Sequence, residues 1–205
     1  MSSKSCRAEW LTALRRGCGL AVMLSGIAFA QSEFRIGETL SAPVGQSAPA
    51  GVVDLEWEAL MPAGWNPKKA LEGVDLAALS DNDPQANALL EKLRRDLDQA
   101  PVVKALDGKR VRIAGFVVTL ERNDGGVSEF LLVPYFGACI HTPPPPANQI
   151  IHVLPKQPVP AEVAIFPVYV TGMLMTVAAV TPEGAAGYRI ADAQVEEYPW
   201  RRRRR

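Results

Sequence analysis

Histidine and cysteine are scarce in this chain. Its 205 residues include two histidines, His141 and His152, and three cysteines, Cys6, Cys18 and Cys139. Phosphate-loop, dinucleotide-binding and serine-hydrolase signatures are absent, so the sequence offers no foothold for those chemistries. No internal repeat is present, which argues against a solenoid or propeller. Beyond the first thirty residues no segment reaches the roughly 20 apolar residues that a membrane-spanning helix needs.

The N-terminus reads as a leader. Lys4, Arg7, Arg15 and Arg16 form a basic region, and residues 17–30, "GCGLAVMLSGIAFA", then run without a charge. The run ends in Ala28-Phe29-Ala30, a small-x-small cleavage pattern, and is too short for a spanning helix. A secretory signal peptide cut after Ala30 is expected, which places the mature chain in the periplasm. Arg15-Arg16-Gly17 precedes Cys18, so that cysteine lacks the apolar context of a lipoprotein site. The arginine pair also lacks the rest of a twin-arginine signal. Loss of residues 1–30 takes four of 22 basic and one of 22 acidic residues, leaving 18 and 21 and a net charge of −3. Five of those 18 are Arg201 to Arg205, so the body is more acidic still, and nucleic acid is not the expected partner. Cys139 is then the only cysteine, which rules out an internal disulfide. A lone thiol in an oxidising compartment is a core filler, a metal ligand, a reactive group or an intermolecular crosslink.

The mature 175 residues suffice for one domain with its own core. Residues 31–53 are rich in Ser, Ala, Gly and Pro and read as a flexible lead-in. A single globular domain is expected over 54–198, and residues 199–205 form a basic tail. Trp57 and Trp65 are read as pins for the segment 54–67. A helix is predicted at about 84–100. Pro84 suits its first turn, Leu89, Leu90, Leu93 and Leu97 fall at helical spacing, and Pro101 closes it. Charged residues fill its other side as a solvated face.

From Asp107 the period changes to two, and a β region is expected over about 109–198. In "VRIAGFVVTL" the large apolar residues change parity at Gly115, which points to a bulge or bend at Ala114-Gly115. "NDGG" at 123–126 is a hairpin turn, and "VSEFLLVP" is the return strand. "NQIIHVL" at 148–154 reads as a third strand. Residues 161–181 read as a long fourth, bent or double because of Pro167 and Gly172, and residues 187–198 as the last. The fold class is therefore mainly β with one N-terminal helix (α+β). A small bent antiparallel barrel of the oligonucleotide-binding type is the nearest superfold. The helix usual between its third and fourth strands is not evident in "PKQPVPAE", so a sandwich or a partly open roll stays as an alternative.

The stretches "GFVVTLE", "EFLLVPYFGACIHTPPPPANQIIHV" and "VYVTGML" resemble a family of secreted bacterial proteins, the domain of unknown function 3299. The resemblance covers residues 54–198. The segment with Cys139, His141 and four prolines is its specific part, and Thr119 departs from it where proline is expected. The resemblance implies a periplasmic protein of unknown activity, associated with export- or metal-related transport systems. It supplies no catalytic residue.

That specific segment, "FGACIHTPPPPANQIIHV" at 136–153, holds both histidines and the thiol. Cys139 and His141 are two apart, and in an extended chain they leave the same face with alpha carbons roughly 6.5 Å apart. His152 could be a third ligand if its strand lies beside theirs. One sulfur and two imidazoles suit zinc or copper better than magnesium or calcium. The competing reading makes Cys139 a small core residue and His152 a satisfied strand histidine. A second class is a non-catalytic protein-binding module. Its docking edge would be Pro143, Pro144, Pro145 and Pro146, with Tyr135 and Phe136 as anchors. A third is a thiol-dependent enzyme, with Cys139 as nucleophile, His141 or His152 as base, and Glu129 or Asn148 as the orienting group. The expected role is a secreted accessory protein that binds zinc or copper for an envelope transport system, with the protein-binding module as the alternative and the thiol enzyme ranked below it.

Overall fold

The longest strand has to serve two partners, and this dictates the architecture. In the computed structural model, which describes residues 34–40, 47–66, 84–138 and 145–199, strand β2 spans Lys109–Asn123. It pairs antiparallel with β5 (Val168–Met175) over Lys109–Gly115. From Phe116 onward it pairs with β3 (Gly126–Val133) instead. Gly115 stands at the changeover. A Cβ there would lie 2.7 Å from Leu132 Cγ and 2.9 Å from the Val133 carbonyl oxygen, so the close approach of β3 requires glycine.

The remaining strands close the ring. β4 (Ile151–Pro155) lies antiparallel to β3, and β8 (Tyr188–Glu197) lies parallel to β4 and antiparallel to β5. The order β2-β3-β4-β8-β5 returns to β2. This is a closed five-stranded barrel with the strand order of the oligonucleotide-binding type, and it supersedes the sandwich and open-roll alternatives. The helix between the third and fourth barrel strands is one turn, α2 (Ala161–Ala164). The long strand expected over 161–181 therefore divides into that turn, β5 after Pro167, and β6 (Ala179–Thr181). β6 forms a separate hairpin with β7 (Gly184–Ala186). One bulge in β8 lies opposite Gly172, where Asp192 takes a φ of 50°.

No bulge occurs at Ala114-Gly115. The β2 register runs unbroken through Lys109–Gly115 and Phe116–Thr119, and it shifts only between Thr119 and Arg122. The change of parity read from the sequence has another cause. Val111, Ile113 and Val117 face the barrel interior with Phe130, Leu132, Ile151, Val153, Val170 and Ile190. Phe116 and Val118 belong to a second apolar layer on the outside, with Phe34, Leu131, Ala138, Ile150, Tyr169 and Tyr198. β2 is thus apolar on both faces over its second half. Each fully buried aliphatic or aromatic side chain contributes about 1.5–3 kcal/mol by removal from water.

Residues before the barrel supply part of that outer layer. Phe34 packs edge-on against Phe116 with ring centroids 5.3 Å apart. β1 (Val53–Asp54) adds parallel to Val111 and Arg112. Asp54 takes the buried Arg112 guanidinium in a fork, Nε to Oδ1 at 2.7 Å and Nη2 to Oδ2 at 3.0 Å. The same guanidinium lies 4.5 Å above the Tyr169 ring. Trp57 is buried and donates its indole N–H to the Ala114 carbonyl at 2.7 Å, as its role as a pin requires. Helix α1 (Pro84–Asp98) ends two residues before the expected limit. Leu89, Leu93 and Leu97 are half-buried, whereas Leu90 is exposed. Three i,i+4 ion pairs cross its solvated face, including Glu91–Arg95 at 3.6 Å. Among the described residues no helix is long and apolar enough to cross a membrane.

Candidate functional site: a carboxylate, imidazole and guanidinium in one row

Three neighbouring strands place one polar residue each on the same outer face. In β4, Ile151 and Val153 point into the interior, so the alternation sends His152 outward. The register sets His152 opposite Leu131 of β3 on one side and opposite Arg189 of β8 on the other. Glu129 precedes Leu131 by two residues and shares its face. The three side chains meet. His152 Nε2 lies 2.6 Å from Glu129 Oε1, and Arg189 Nε lies 3.2 Å from His152 Nδ1. The His152 side chain is 8% exposed, so these contacts replace water at both nitrogens.

The chemistry of the partners fixes the ring. A guanidinium can only donate, so Nδ1 accepts from Arg189. The ring proton therefore sits on Nε2 and is donated to the Glu129 carboxylate. This assignment comes from the bonding pattern. The row resembles the carboxylate–imidazole half of a catalytic triad, yet arginine occupies the place a nucleophile would need. A metal at Nδ1 would have to displace Arg189. One at Nε2 would have to displace both the proton and Glu129.

The other candidate residues are distributed as follows. Tyr135 bridges Thr39 as an isolated antiparallel pair. Phe136 packs against Phe34 and Phe116, with ring centroids 5.9 and 5.7 Å away. Its N–H donates to the Glu38 carbonyl at 3.0 Å, and its own carbonyl accepts from Gly37 N–H at 2.9 Å. Both aromatic residues keep partial exposure, and Ala138 is buried in the outer layer. At the far end of the loop Pro145 is buried and Pro146 half-buried. A 3-10 turn over Ala147–Gln149 follows, and all three of its residues are buried. Asn148 gives its amide to the Pro101 carbonyl at 2.9 Å, which is a structural use. Cys139, His141, Pro143 and Pro144 lie outside the described residues. Among the described residues no group of three or more His, Cys, Asp or Glu side chains is placed to hold a metal ion.

The sequence identified His152 and named Glu129 as a candidate orienting group. Arg189 was missed. The sequence showed only an arginine between two large apolar residues, Tyr188 and Ile190, in an alternating strand, with nothing to join it to His152.

Barrel and row together define a class, a small oligonucleotide-binding-type barrel with a second apolar layer and a buried histidine on its outer wall. The family described as protein of unknown function DUF3299 matches residues 57–197, and the chain belongs to that family. It is similar to a DUF3299 family protein from Pseudomonas aeruginosa PAO1 known from a crystal structure. The two are 41% identical with a TM-score of 0.57, over 72% of this chain and 96% of that one. No curated protein matches. A barrel by itself assigns no function.

Proposed function

We propose that the protein is a secreted periplasmic accessory protein that works by binding, presenting the loop 135–146 to a component of an envelope transport system. The observation that carries this reading is the anchoring of the loop at both ends. Phe136 is wedged between two rings at one end, and Pro145 and the 3-10 turn are buried at the other. Pro143 and Pro144 lie between these anchors in the sequence, and proline restricts its own backbone, so little ordering entropy is lost when a partner docks. The leader sequence supports secretion. His152, committed at both ring nitrogens, is not poised as a general base, which favours binding over thiol catalysis.

The test is a photo-crosslinking residue at Tyr135 in periplasmic protein, with the captured partner then made pure and its affinity measured. Replacement of Pro143, Pro144, Pro145 and Pro146 by alanine should weaken that affinity at least about tenfold while the melting temperature moves by a few degrees. Unchanged affinity would remove the loop from the interface.

A soft-metal site of Cys139, His141 and His152 for zinc or copper is the second reading. It is favoured by one placement, His152 beside Leu131 in the layer that also buries Ala138, the neighbour of Cys139. It requires Glu129 or Arg189 to release the ring. Reduced mature protein and Cys139→Ser should be titrated side by side with zinc and with copper(I). Equal binding by the two, or none tighter than about 10 μM, would dismiss it.

A further inference from the structure

Within the closed barrel, β4 parts from β8 before β8 ends. Their pairing ends at Pro155 opposite Ala193, and the last bond is Lys156 N–H to the Ala193 carbonyl at 2.9 Å. Pro155, Pro158 and Pro160 then carry the chain away and can donate no ladder bond. Val159 is instead fastened to the start of β3, with both of its backbone bonds to Val127 at 2.8 Å. Gly126 makes this approach feasible, since a Cβ there would overlap the Val159 carbonyl oxygen. The departing segment is therefore held against β3 and cannot cover β8. A cavity of about 500 Å³ separates the two.

The end of β8 faces that cavity with unpaired backbone. Tyr198 N–H turns toward β5, where it meets the Pro167 carbonyl at 3.0 Å, while the Ala193 carbonyl turns the other way. Backbone groups alternate in direction along a strand, so Val195 and Glu197 point theirs away from β5 and into the cavity. Among the described residues no backbone group pairs with them there. This is a strand edge with a ready groove alongside.

We propose that this edge docks an extended basic segment of a partner protein, which adds to β8 as a further strand. The charge on the rim selects the partner. Glu196 and Glu197 are both exposed along the edge, and Lys156 is the cation among the residues lining the cavity. The side chains set a pattern. Val195 packs toward the interior and Val163 lines the far wall, so the residue opposite Val195 is aliphatic. Glu196 lies on the outer face, so the residue opposite it is basic. Charged edges also serve to prevent strand addition. A guarding edge would refuse every added strand, whereas a docking edge accepts a basic one. The site shares no residue with the loop 135–146 or with the His152 row, so it stands independently of the function proposed above.

The experiment uses the full mature chain and a labelled Arg-Val-Arg-Val-Arg peptide, followed by fluorescence anisotropy. Two comparison peptides accompany it: Glu-Val-Glu-Val-Glu, and the arginine peptide with alternate backbone nitrogens methylated. The arginine peptide should bind at least about tenfold tighter than either. Glu196→Gln with Glu197→Gln should lose that tenfold; both positions are exposed, and glutamine at 196 sets no cation near the buried Arg112. Equal binding of the methylated peptide would reduce the effect to charge alone and overturn strand addition. Equal binding by the variant, or no binding by the wild type, would overturn the site. If only a chain ending at Trp200 binds, the arginines 201–205 fill the edge themselves and the partner assignment falls.

Discussion

Arg189 donates its Nε–H to Nδ1 of His152 across 3.2 Å, and with the Glu129 carboxylate at Nε2 this bond fixes which ring nitrogen carries the proton. The consequence is visible in solution. In a His141→Gln background, nitrogen NMR of the remaining imidazole should show protonated Nε2 and bare Nδ1. Arg189→Leu removes the donor at Nδ1, with a stability loss of about 1 kcal/mol, while the Glu129 carboxylate 2.6 Å from Nε2 can only accept, so the Nε2 proton should stay in place. A ring protonated at Nδ1 in the unmodified row would contradict the assignment.

The glycine at the β2 changeover gives a packing prediction. Gly115→Ala puts a methyl 2.7 Å from Leu132 Cγ and 2.9 Å from a backbone oxygen. The side chain can yield, but the backbone cannot without moving β3. Overpacking of this kind costs about 1–3 kcal/mol. Urea denaturation should show that loss, and the loss should shrink in a Leu132→Ala background, where one of the two close contacts is gone. A neutral Gly115→Ala would mean that β3 has room to move.

Local periodicity carried much of the fold in the sequence. Pro84, the leucine spacing and Pro101 located α1, and "NDGG" located the β2–β3 hairpin. The barrel itself was less legible, because β2 closes it by pairing with β5 across more than fifty residues, and alternation says nothing about partners. The outer apolar layer was misread for a physical reason. A strand buried on both faces loses its period-two signature, so Phe116 and Val118 looked like a change of face rather than a second core. Within the candidate site, His152 was conspicuous for its rarity. Arg189 was hidden because strand register, which joins it to His152, is not written in either segment alone.

A buried fork yields the next prediction. Arg112 is 8 % exposed, and its hydrogen bonds to Asp54 hold its proton above the ordinary arginine range, against the opposing pull of burial. Asp54→Asn keeps the shape and removes the charge, so the guanidinium stacked on Tyr169 loses its two-pronged carboxylate and keeps only the weaker attraction of Glu196. The expected cost is about 1–3 kcal/mol, toward the lower end because the Asp54 side chain is 46% exposed. Arg112→Lys should cost a comparable amount, since an ammonium cannot make the two-pronged contact. Thermal melts of both variants measure this, and unchanged melting would show that β1 adds nothing to the barrel.

Tyr188 ties the residues before β2 to the barrel floor, and its response to pH has a defined sign. Its hydroxyl donates to the Leu60 carbonyl at 2.8 Å and accepts from Val103 N–H at 2.7 Å. Burial raises its pKa above the ordinary tyrosine value, and the Val103 bond opposes that rise without cancelling it. In the unfolded chain the phenol ionises near its ordinary value of about 10. Below that pH both states hold the proton and the contribution of Tyr188 is complete. As pH rises past it, the unfolded state releases the proton first, so stability falls until the raised folded value is passed. Tyr188→Phe should therefore behave differently on the two sides of that pH. Near neutrality it should cost about 1–3 kcal/mol, because Val103 N–H and the Leu60 carbonyl lose their partner. Above about pH 10 the gap between variant and wild type should narrow, since phenylalanine has no proton to lose. Urea denaturation at a series of pH values from neutral to alkaline reads both effects. A gap that stays constant across the series would mean that the Tyr188 hydroxyl ionises alike in the folded and unfolded chain.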